Sequence, residues 1–348
     1  MTDYLSIVQQ CDDYYLKNLE QTVTSSIEQG EIPETCTFPI ALQFELMAEC
    51  NLKCLHCYNR SGDVDLATKM KLDDWLSLSH HIVANGGIFQ CILSGGEPLL
   101  FGKKRLPQIM DILHSDGTGF VIITNGYLLD QEWIDIIKDY RYYWVQVSID
   151  GATAAIHDSF RGVEGSWHRA VKGAYLTSKA GFPLVIAHTV TPRNLHQVDE
   201  MAELSYALGA TSAIIGESLP SGRVEEFPEI LLDSEQRNQL YGKIDELHKH
   251  YFKRMEIQRS SGVFHQLNRY RVTPNLGGII RPNGDVRMDC MAPFVIGNVL
   301  DSPFAEIWKT KGADCWKNPS VLNYINSIDP ISNRSHYHYN HVSQDIII

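Results

Sequence analysis

The sequence lacks the excess of basic residues that a nucleic-acid-binding surface needs. Its 348 residues carry 30 Lys and Arg against 42 Asp and Glu, which gives a formal net charge of −12. A protein that binds a nucleic-acid backbone neutralises phosphates with Lys and Arg. The charge therefore argues against nucleic acid as a partner, and it leaves small molecules, sugars and peptides open.

The sequence also lacks any apolar run that approaches the roughly 20 residues of a membrane-spanning helix. Its first residues do not show the basic-then-apolar pattern of a secretory segment. We therefore expect no membrane contact and a cytoplasmic location. The apolar content of 44% and the charged content of 21% are typical of a globular enzyme. The length suits one large domain and a smaller one.

Cysteine is scarce, with eight in the whole chain, yet three of the eight fall within eight residues. Cys50, Cys54 and Cys57 follow the spacing C-x3-C-x2-C. Three thiolates on one loop can bind three irons of a cubane [4Fe–4S] cluster, for which four Cys would be the saturated set. The fourth iron is then open, and an open coordination position is where a metal centre does chemistry.

Two other uses of these cysteines stay open. Zinc is one, but zinc sites usually pair two C-x2-C halves, and no second half follows nearby. A disulfide with a spare thiol is the other, although nothing indicates an oxidising compartment. We favour the cluster because of the pattern that follows the loop.

Strand-like and helix-like patterns alternate after the N-terminal helix. Alternating apolar residues from Ile40 to Leu46 predict a strand that runs straight into Cys50. Six β/α units in succession predict parallel strands with crossover helices, and six are too few to close a full barrel. We expect an α/β fold whose parts are a helical cap at 1–37, a partial (β/α)6 TIM-like barrel at 38–218 and a small α+β extension at 219–348.

Each predicted strand ends in a polar or glycine-containing turn, at the edge where α/β folds place their sites. Gly95-Gly96-Glu97 combines glycines that let backbone approach a ligand with an acceptor for an ammonium group. Ser148 and Asp150 suit ribose hydroxyls, and Arg161, in a turn expected at 157–162, can clamp a carboxylate. Turns of this composition often have no role beyond reversing the chain. The prediction of a binding site therefore depends on all of these turns lining one rim of the barrel.

These motifs resemble those of the radical S-adenosylmethionine (SAM) superfamily over roughly residues 39–218. The resemblance implies a [4Fe–4S] cluster bound by Cys50, Cys54 and Cys57, with SAM chelating the open iron through its amino and carboxylate groups. It implies that an electron from the cluster cleaves SAM to a 5′-deoxyadenosyl radical, which removes a hydrogen atom from the substrate. A reducing electron donor of the flavodoxin or ferredoxin type is implied as a partner.

The resemblance also implies contacts to SAM for individual residues. The implied set comprises His56 near the adenine, Gly95, Gly96 and Glu97 at the amino group, Ser148 and Asp150 at the ribose, and Arg161 at the carboxylate.

The C-terminal third resembles the SPASM-type extension of peptide-modifying radical SAM enzymes. A predicted hairpin with its turn at Pro282-Asn283-Gly284 leads to Cys290. We expect the following helix to be capped by Ser302, with Pro303 at its first position. The resemblance implies about seven Cys and one or two auxiliary clusters, but only Cys290 and Cys315 are present here.

Two cysteines alone cannot saturate an auxiliary cluster. His336, His338 and His341 could complete one, but such residues in a Tyr- and Asn-rich tail are more often a solvated end. Cys290 therefore has two open interpretations. One is a small buried apolar side chain, and the other is a catalytic thiol that returns a hydrogen atom to the substrate radical from the opposite face.

We predict a radical SAM enzyme that matures a ribosomally made peptide by epimerisation or cross-linking. The alternative on the same barrel is an epimerase or dehydrogenase of a sugar or aminocyclitol. The alternative of another class is a non-catalytic iron–sulfur or zinc protein, and the Gly95-Gly96-Glu97 motif argues against it. The sequence does not decide between a peptide and a small-molecule substrate.

Overall fold

The computed structural model describes residues 2–63, 68–329 and 345–348. His336, His338 and His341, which were considered as ligands of an auxiliary cluster, lie outside the described residues. Of the helices in this described part, none has both the length and the apolar character that are needed to cross a bilayer.

Eleven strands lie in the described ranges and form one sheet. The strands are β1 (Ala41–Glu45), β2 (Gln90–Ser94), β3 (Gly119–Thr124), β4 (Tyr142–Ser148), β5 (Leu184–Val190), β6 (Ser212–Glu217), β7 (Glu256–Arg259), β8 (Gly277–Ile280), β9 (Asp285–Asp289), β10 (Ala292–Asn298) and β11 (Ile346–Ile347). Their order across the sheet is β11-β10-β9-β8-β1-β2-β3-β4-β5-β6-β7.

The α-helices of the described ranges connect and cover these strands. They are α1 (Tyr4–Glu28), α2 (Leu72–Ala84), α3 (Leu106–Ser115), α4 (Gln131–Ile137), α5 (Ala154–Arg161), α6 (Ser166–Lys179), α7 (Val198–Ala207), α8 (Ser234–Tyr251), α9 (Val263–Val272), α10 (Phe304–Ile307) and α11 (Pro319–Asn326). The N-terminal helix α1 packs on α8, where the backbone N–H of Tyr4 donates to Asn238 Oδ1 at 2.6 Å.

The predicted partial barrel is confirmed. β1 to β6 are parallel neighbours in chain order, as six β/α units require. β7 extends the sheet beside β6, and β8 lies parallel to β1 on the other side. Neither strand was predicted as part of the barrel, because each has only four residues and comes from the segment expected to be a separate extension. The domain boundaries stay predictions.

The two faces of the sheet differ in burial, as the alternation in β1 shows. Leu42 and Phe44 are at most 1% exposed, and the Phe44 ring packs on Trp75 of α2 with centroids 4.9 Å apart. Gln43 points to the other face, where its Nε2 donates to Ser94 Oγ at 2.9 Å. The register of the strands places four further polar residues on this inner face, namely Glu45, Gln146, Ser148 and Thr189. The inner face is therefore suited to a polar ligand.

The predicted C-terminal hairpin is confirmed, but the predicted N-cap of the helix that follows it is wrong by one residue. β8 and β9 are antiparallel, and Gly284 in their turn has φ +92°, which favours glycine. Helix α10 has Pro303 at its N-cap position with extended ψ of 133°, so Pro303 lies outside the helix. Ser302 belongs to the preceding turn, because its N–H donates to the carbonyl of Asn298 at 3.1 Å.

Candidate active site

The cysteine loop follows β1 at the carboxyl edge of the barrel, and its three cysteines are free thiols. Two backbone hydrogen bonds tie the loop to the end of α5. The N–H of Lys53 donates to Arg161 O at 3.0 Å, and that of Leu55 donates to Phe160 O at 3.1 Å. The loop is therefore held by a helix, although it has no regular secondary structure of its own.

Each of the three sulfur atoms has an N–H donor beside it. Leu52 N lies 3.4 Å from Cys50 Sγ, Ser61 N lies 3.3 Å from Cys57 Sγ, and Arg161 Nη1 lies 3.7 Å from Cys54 Sγ. Such donors stabilise thiolates, which are the form that binds iron. Burial raises the pKa of Cys50 to about 12 and that of Cys54 to about 11, so a bound metal is needed to displace these protons. The donor set thus fits a thiolate-bound cluster.

Arg223, which was not among the predicted site residues, also holds the loop through hydrogen bonds. Its Nη1 donates to Cys54 O at 2.7 Å, its Nη2 donates to Ser61 O at 2.9 Å, and its backbone N–H donates to Cys57 O at 3.0 Å. A Cβ on the neighbouring Gly222 would lie 2.4 Å from Cys57 O. The segment that follows β6 therefore packs directly on the backbone of the cysteine loop.

The Gly95-Gly96-Glu97 turn packs on the residues that lead into Cys50. The N–H of Gly96 donates to Met47 O at 2.7 Å, and the N–H of Glu97 donates to Glu49 O at 3.1 Å. A Cβ added at Gly96 would lie only 2.0 Å from Glu49 O. The chain itself therefore requires a glycine here, whatever ligand the turn also binds.

Glu97 is fully buried, and its carboxylate joins two turns of the rim. It accepts from Thr124 Oγ1 at 2.6 Å, from Asn125 N at 2.8 Å and from Leu99 N at 3.1 Å. Asn125, which was also not among the predicted site residues, donates through Nδ2 to Asn51 Oδ1 at 2.9 Å. Glu97 thus fixes Asn125 against the cysteine loop, and its contact with the SAM amino group stays a prediction.

Asp150 and Arg161 are brought together, although 161 was expected in a turn and lies at the end of helix α5. Arg161 Nε donates to Asp150 Oδ2 at 2.6 Å, and Thr189 N donates to Asp150 Oδ1 at 2.8 Å. Burial is the largest influence and opposes ionisation of Asp150, but Arg161 and three neighbouring histidines together outweigh it and lower the Asp150 pKa to about 2. The predicted ribose and carboxylate contacts stay predictions, and the two side chains form an ion pair with each other.

His56 lies beside the ion pair of Asp150 and Arg161. Its ring stacks on Phe160 with centroids 4.4 Å apart and planes 6° apart, and its Nε2 lies 3.7 Å from Asp150 Oδ2. Burial lowers the pKa of His56 to about 4, so the ring is neutral at pH 7. Within the described ranges, no hydrogen-bond partner reaches the buried atoms His56 Nδ1 and Asn51 Nδ2. Buried polar atoms normally have a hydrogen-bond partner, so both atoms fit a site that is completed by a ligand.

Ser148, the remaining predicted contact to the ribose, ends β4 on the same inner face of the barrel and is half-buried.

Comparisons with known proteins match this site and this fold. Residues 44–205 match the family described as the Radical SAM superfamily. The AdoMet-dependent heme synthase of Methanosarcina barkeri is 30% identical over 295 residues, which cover 78% of this chain and 82% of that protein. The chain belongs to the radical SAM superfamily. It is an enzyme, and its cofactors are the [4Fe–4S] cluster and SAM that this family uses.

Other radical SAM relatives include maturation enzymes. Mycofactocin maturase MftC of Mycobacterium tuberculosis is 32% identical over 285 residues, covering 78% of this chain and 70% of that protein. Subtilosin biosynthesis protein AlbA of Bacillus subtilis is 27% identical, and the match spans 62% of its length. SuiB of Streptococcus suis, solved with SAM bound, superposes with a TM-score of 0.67 at 15% identity over 91% of this chain and 80% of that chain. The last comparison confirms the fold.

Proposed function

We propose that this radical SAM enzyme matures a ribosomally made peptide by inverting one of its carbon centres. Cys50, Cys54 and Cys57 bind three irons of the cluster in this proposal, and the donors beside each sulfur support it. When bound, the cluster and SAM supply a carbon-centred radical that removes a hydrogen atom from the substrate. The rim residues proposed to hold SAM are His56, Gly95, Gly96, Glu97, Ser148, Asp150 and Arg161.

A peptide substrate is supported by the relatives. MftC is named a mycofactocin maturase, AlbA is named for bacteriocin biosynthesis, and SuiB has been solved with the precursor peptide SuiA. The polar inner face of the barrel suits a peptide backbone because its side chains can donate and accept hydrogen bonds.

Cys290 is the observation that favours inversion over cross-linking. It lies in the turn between β9 and β10, half-buried. Burial, followed by the Cys290 thiol, raises the pKa of Tyr58, the residue after Cys57, well above its usual range. Burial, followed by Asp289, also raises the pKa of Cys290 well above its usual range. The thiol is therefore protonated at neutral pH, which is the form that can give up a hydrogen atom.

The turn that carries Cys290 is held on both sides. Met291 N donates to Asp289 Oδ1 at 2.7 Å, and Tyr324 Oη donates to Met291 O at 2.9 Å. Arg287 Nε donates to Ala292 O at 2.9 Å. A fixed turn limits the positions that the thiol can reach, as delivery of a hydrogen atom to one face of a substrate carbon requires.

The proposed chemistry balances with one electron and one proton. The S–H bond of Cys290 breaks, and its hydrogen atom forms a C–H bond on the opposite face of the substrate radical. The thiyl radical that remains takes one electron from the low-potential donor and one proton from solvent. A flavodoxin- or ferredoxin-like protein is the proposed donor. The new C–H hydrogen therefore originates in solvent through the exchangeable thiol.

The test is turnover in deuterated water, with a synthetic precursor peptide whose sequence is taken from a short gene next to that of the enzyme as the probe. Wild-type enzyme is expected to give a product of inverted configuration that carries one deuterium. Cys290→Ala is expected to form 5′-deoxyadenosine but no inverted product, whereas the matched Cys315→Ala variant behaves as wild type. Inversion by Cys290→Ala, or a wild-type product without deuterium, would contradict the proposed role of the thiol.

A tetrapyrrole is the second candidate substrate. It is favoured by the 30% identity to a heme synthase and by the 25% identity to an Fe-coproporphyrin III synthase of the same organism. SAM-dependent conversion of an iron porphyrin by the wild-type enzyme, with no conversion of the peptide, would select this candidate.

A further inference from the structure

Asp150, Arg161 and Cys54 form a buried line of contacts that ends at a thiol of the cysteine loop. Asp150 Oδ2 accepts from Arg161 Nε at 2.6 Å, and Arg161 Nη1 lies 3.7 Å from Cys54 Sγ. The three residues are 0%, 7% and 8% exposed. Their interaction is therefore screened much less by solvent than that of a surface ion pair.

The charges in this row of contacts are ordered, with the cation next to the sulfur of Cys54. The cationic guanidinium is the member in contact with the sulfur, through Nη1, and the carboxylate binds the same guanidinium through Nε. The pair therefore presents its positive end to Cys54. Asp150 is fixed in turn, because Thr189 N donates to its Oδ1 at 2.8 Å and Asn194 Nδ2 donates to its backbone carbonyl at 2.8 Å.

We infer that Asp150 and Arg161 set the reduction potential of the cluster, with Arg161 supplying a fixed positive charge at Cys54 and Asp150 positioning it. Reduction adds one negative charge to the cluster. A buried cation beside a ligand sulfur stabilises that added charge and makes the cluster easier to reduce. Arg161 acts on the cluster through Cys54, and Asp150 is a positioning residue that acts through Arg161. The inference concerns the cluster alone, so it does not depend on the proposed substrate or on Cys290.

The inference predicts how the potential responds when the charge is removed. The measurement is a reductive titration of the iron-loaded enzyme followed by the EPR signal of the reduced cluster, without SAM or substrate. Arg161→Gln is expected to lower the equilibrium constant for reduction about tenfold, which corresponds to a shift of about 59 mV to more negative potential for one electron. Arg161→Lys keeps the charge and is expected to shift the potential less.

Two controls separate this effect from structural damage. Each variant is first counted for iron, and only protein with four irons per chain is titrated. Arg193→Gln removes an arginine that is about half exposed and pairs with Glu229 at 3.6 Å, and it is expected to leave the potential unchanged. If Arg161→Gln binds no cluster, Arg161→Met, which also removes the charge, is titrated in its place.

Asp150→Asn tests the positioning step. In the wild-type background this change removes a negative charge and also releases the guanidinium, whereas in the Arg161→Gln background it only removes the charge. The two shifts are therefore expected to differ. Equal shifts in both backgrounds would overturn the role of Asp150. An unchanged potential in four-iron Arg161→Gln, or in four-iron Arg161→Met where the Gln variant binds no cluster, would overturn the inference.

Discussion

Gly96→Ala is expected to reduce 5′-deoxyadenosine formation roughly 100-fold, because misplacement of reacting groups by about 1 Å costs this much. The new Cβ would lie 2.0 Å from Glu49 O and 2.5 Å from Glu49 C. Both atoms are backbone, so relief requires that Glu49 and the adjoining Cys50 move. We expect an additional loss of about 1–3 kcal/mol in the free energy of unfolding from overpacking.

Gly117→Ala is the matched control for Gly96→Ala. Gly117 has φ +88° and nothing within 4 Å of its hypothetical Cβ, so the substitution strains the backbone without a collision. It is expected to cost about 1–2 kcal/mol of stability and to keep 5′-deoxyadenosine formation. Equal loss in the two variants would show that general destabilisation causes the defect, and full activity of Gly96→Ala would show that the turn does not position the cysteine loop.

Arg223→Ala is expected to speed the loss of cluster iron to a chelator roughly 100-fold. The side chain is 8% exposed and donates to two backbone carbonyls of the loop, Cys54 O and Ser61 O. Losing two charged hydrogen bonds costs about 3 kcal/mol or more, which makes opening of the loop about 100 times more frequent. The 3.0 Å contact to Asp63 adds little because Asp63 is one-third exposed.

Two further variants define what Arg223 contributes. Arg223→Lys keeps the charge but has no planar fork to reach both carbonyls, so its rate of iron loss is expected to lie between those of wild type and Arg223→Ala. Arg193→Ala removes an arginine that is about half exposed and pairs with Glu229, and it is expected to lose iron at the wild-type rate. A wild-type rate of iron loss in Arg223→Ala would contradict the account that Arg223 holds the loop.

The parts of the site that the sequence predicts are those with local patterns. The cysteine spacing, the Gly-Gly-Glu turn and the alternation of strands and helices each occupy a short stretch, and each lies at the expected edge of the barrel. Parallel strands bring their carboxyl ends together. The composition of the active-site rim could therefore be predicted from separate short motifs.

The parts that the sequence does not predict depend on distant contacts. Arg223 meets a loop 169 residues earlier in the chain, and no periodicity marks it. Helix α5 has only eight residues, and a Gly follows it directly, so its sequence is equally compatible with a turn. The carboxylates of Glu97 and Asp150 were assigned to a ligand from their motifs. The structure shows that each is also engaged within the protein, by Thr124 and Arg161 respectively.

The measurement that tests the central claim most directly is anaerobic formation of 5′-deoxyadenosine from SAM by the iron-loaded enzyme with a chemical one-electron reductant. Wild-type protein is expected to form it, and a variant with Cys50, Cys54 and Cys57 all changed to Ala is expected to form none. A matched variant that lacks Cys11, Cys36 and Cys91 instead is expected to keep the activity. Formation at the wild-type rate by the first variant, or none by wild-type protein carrying four irons, would contradict the account.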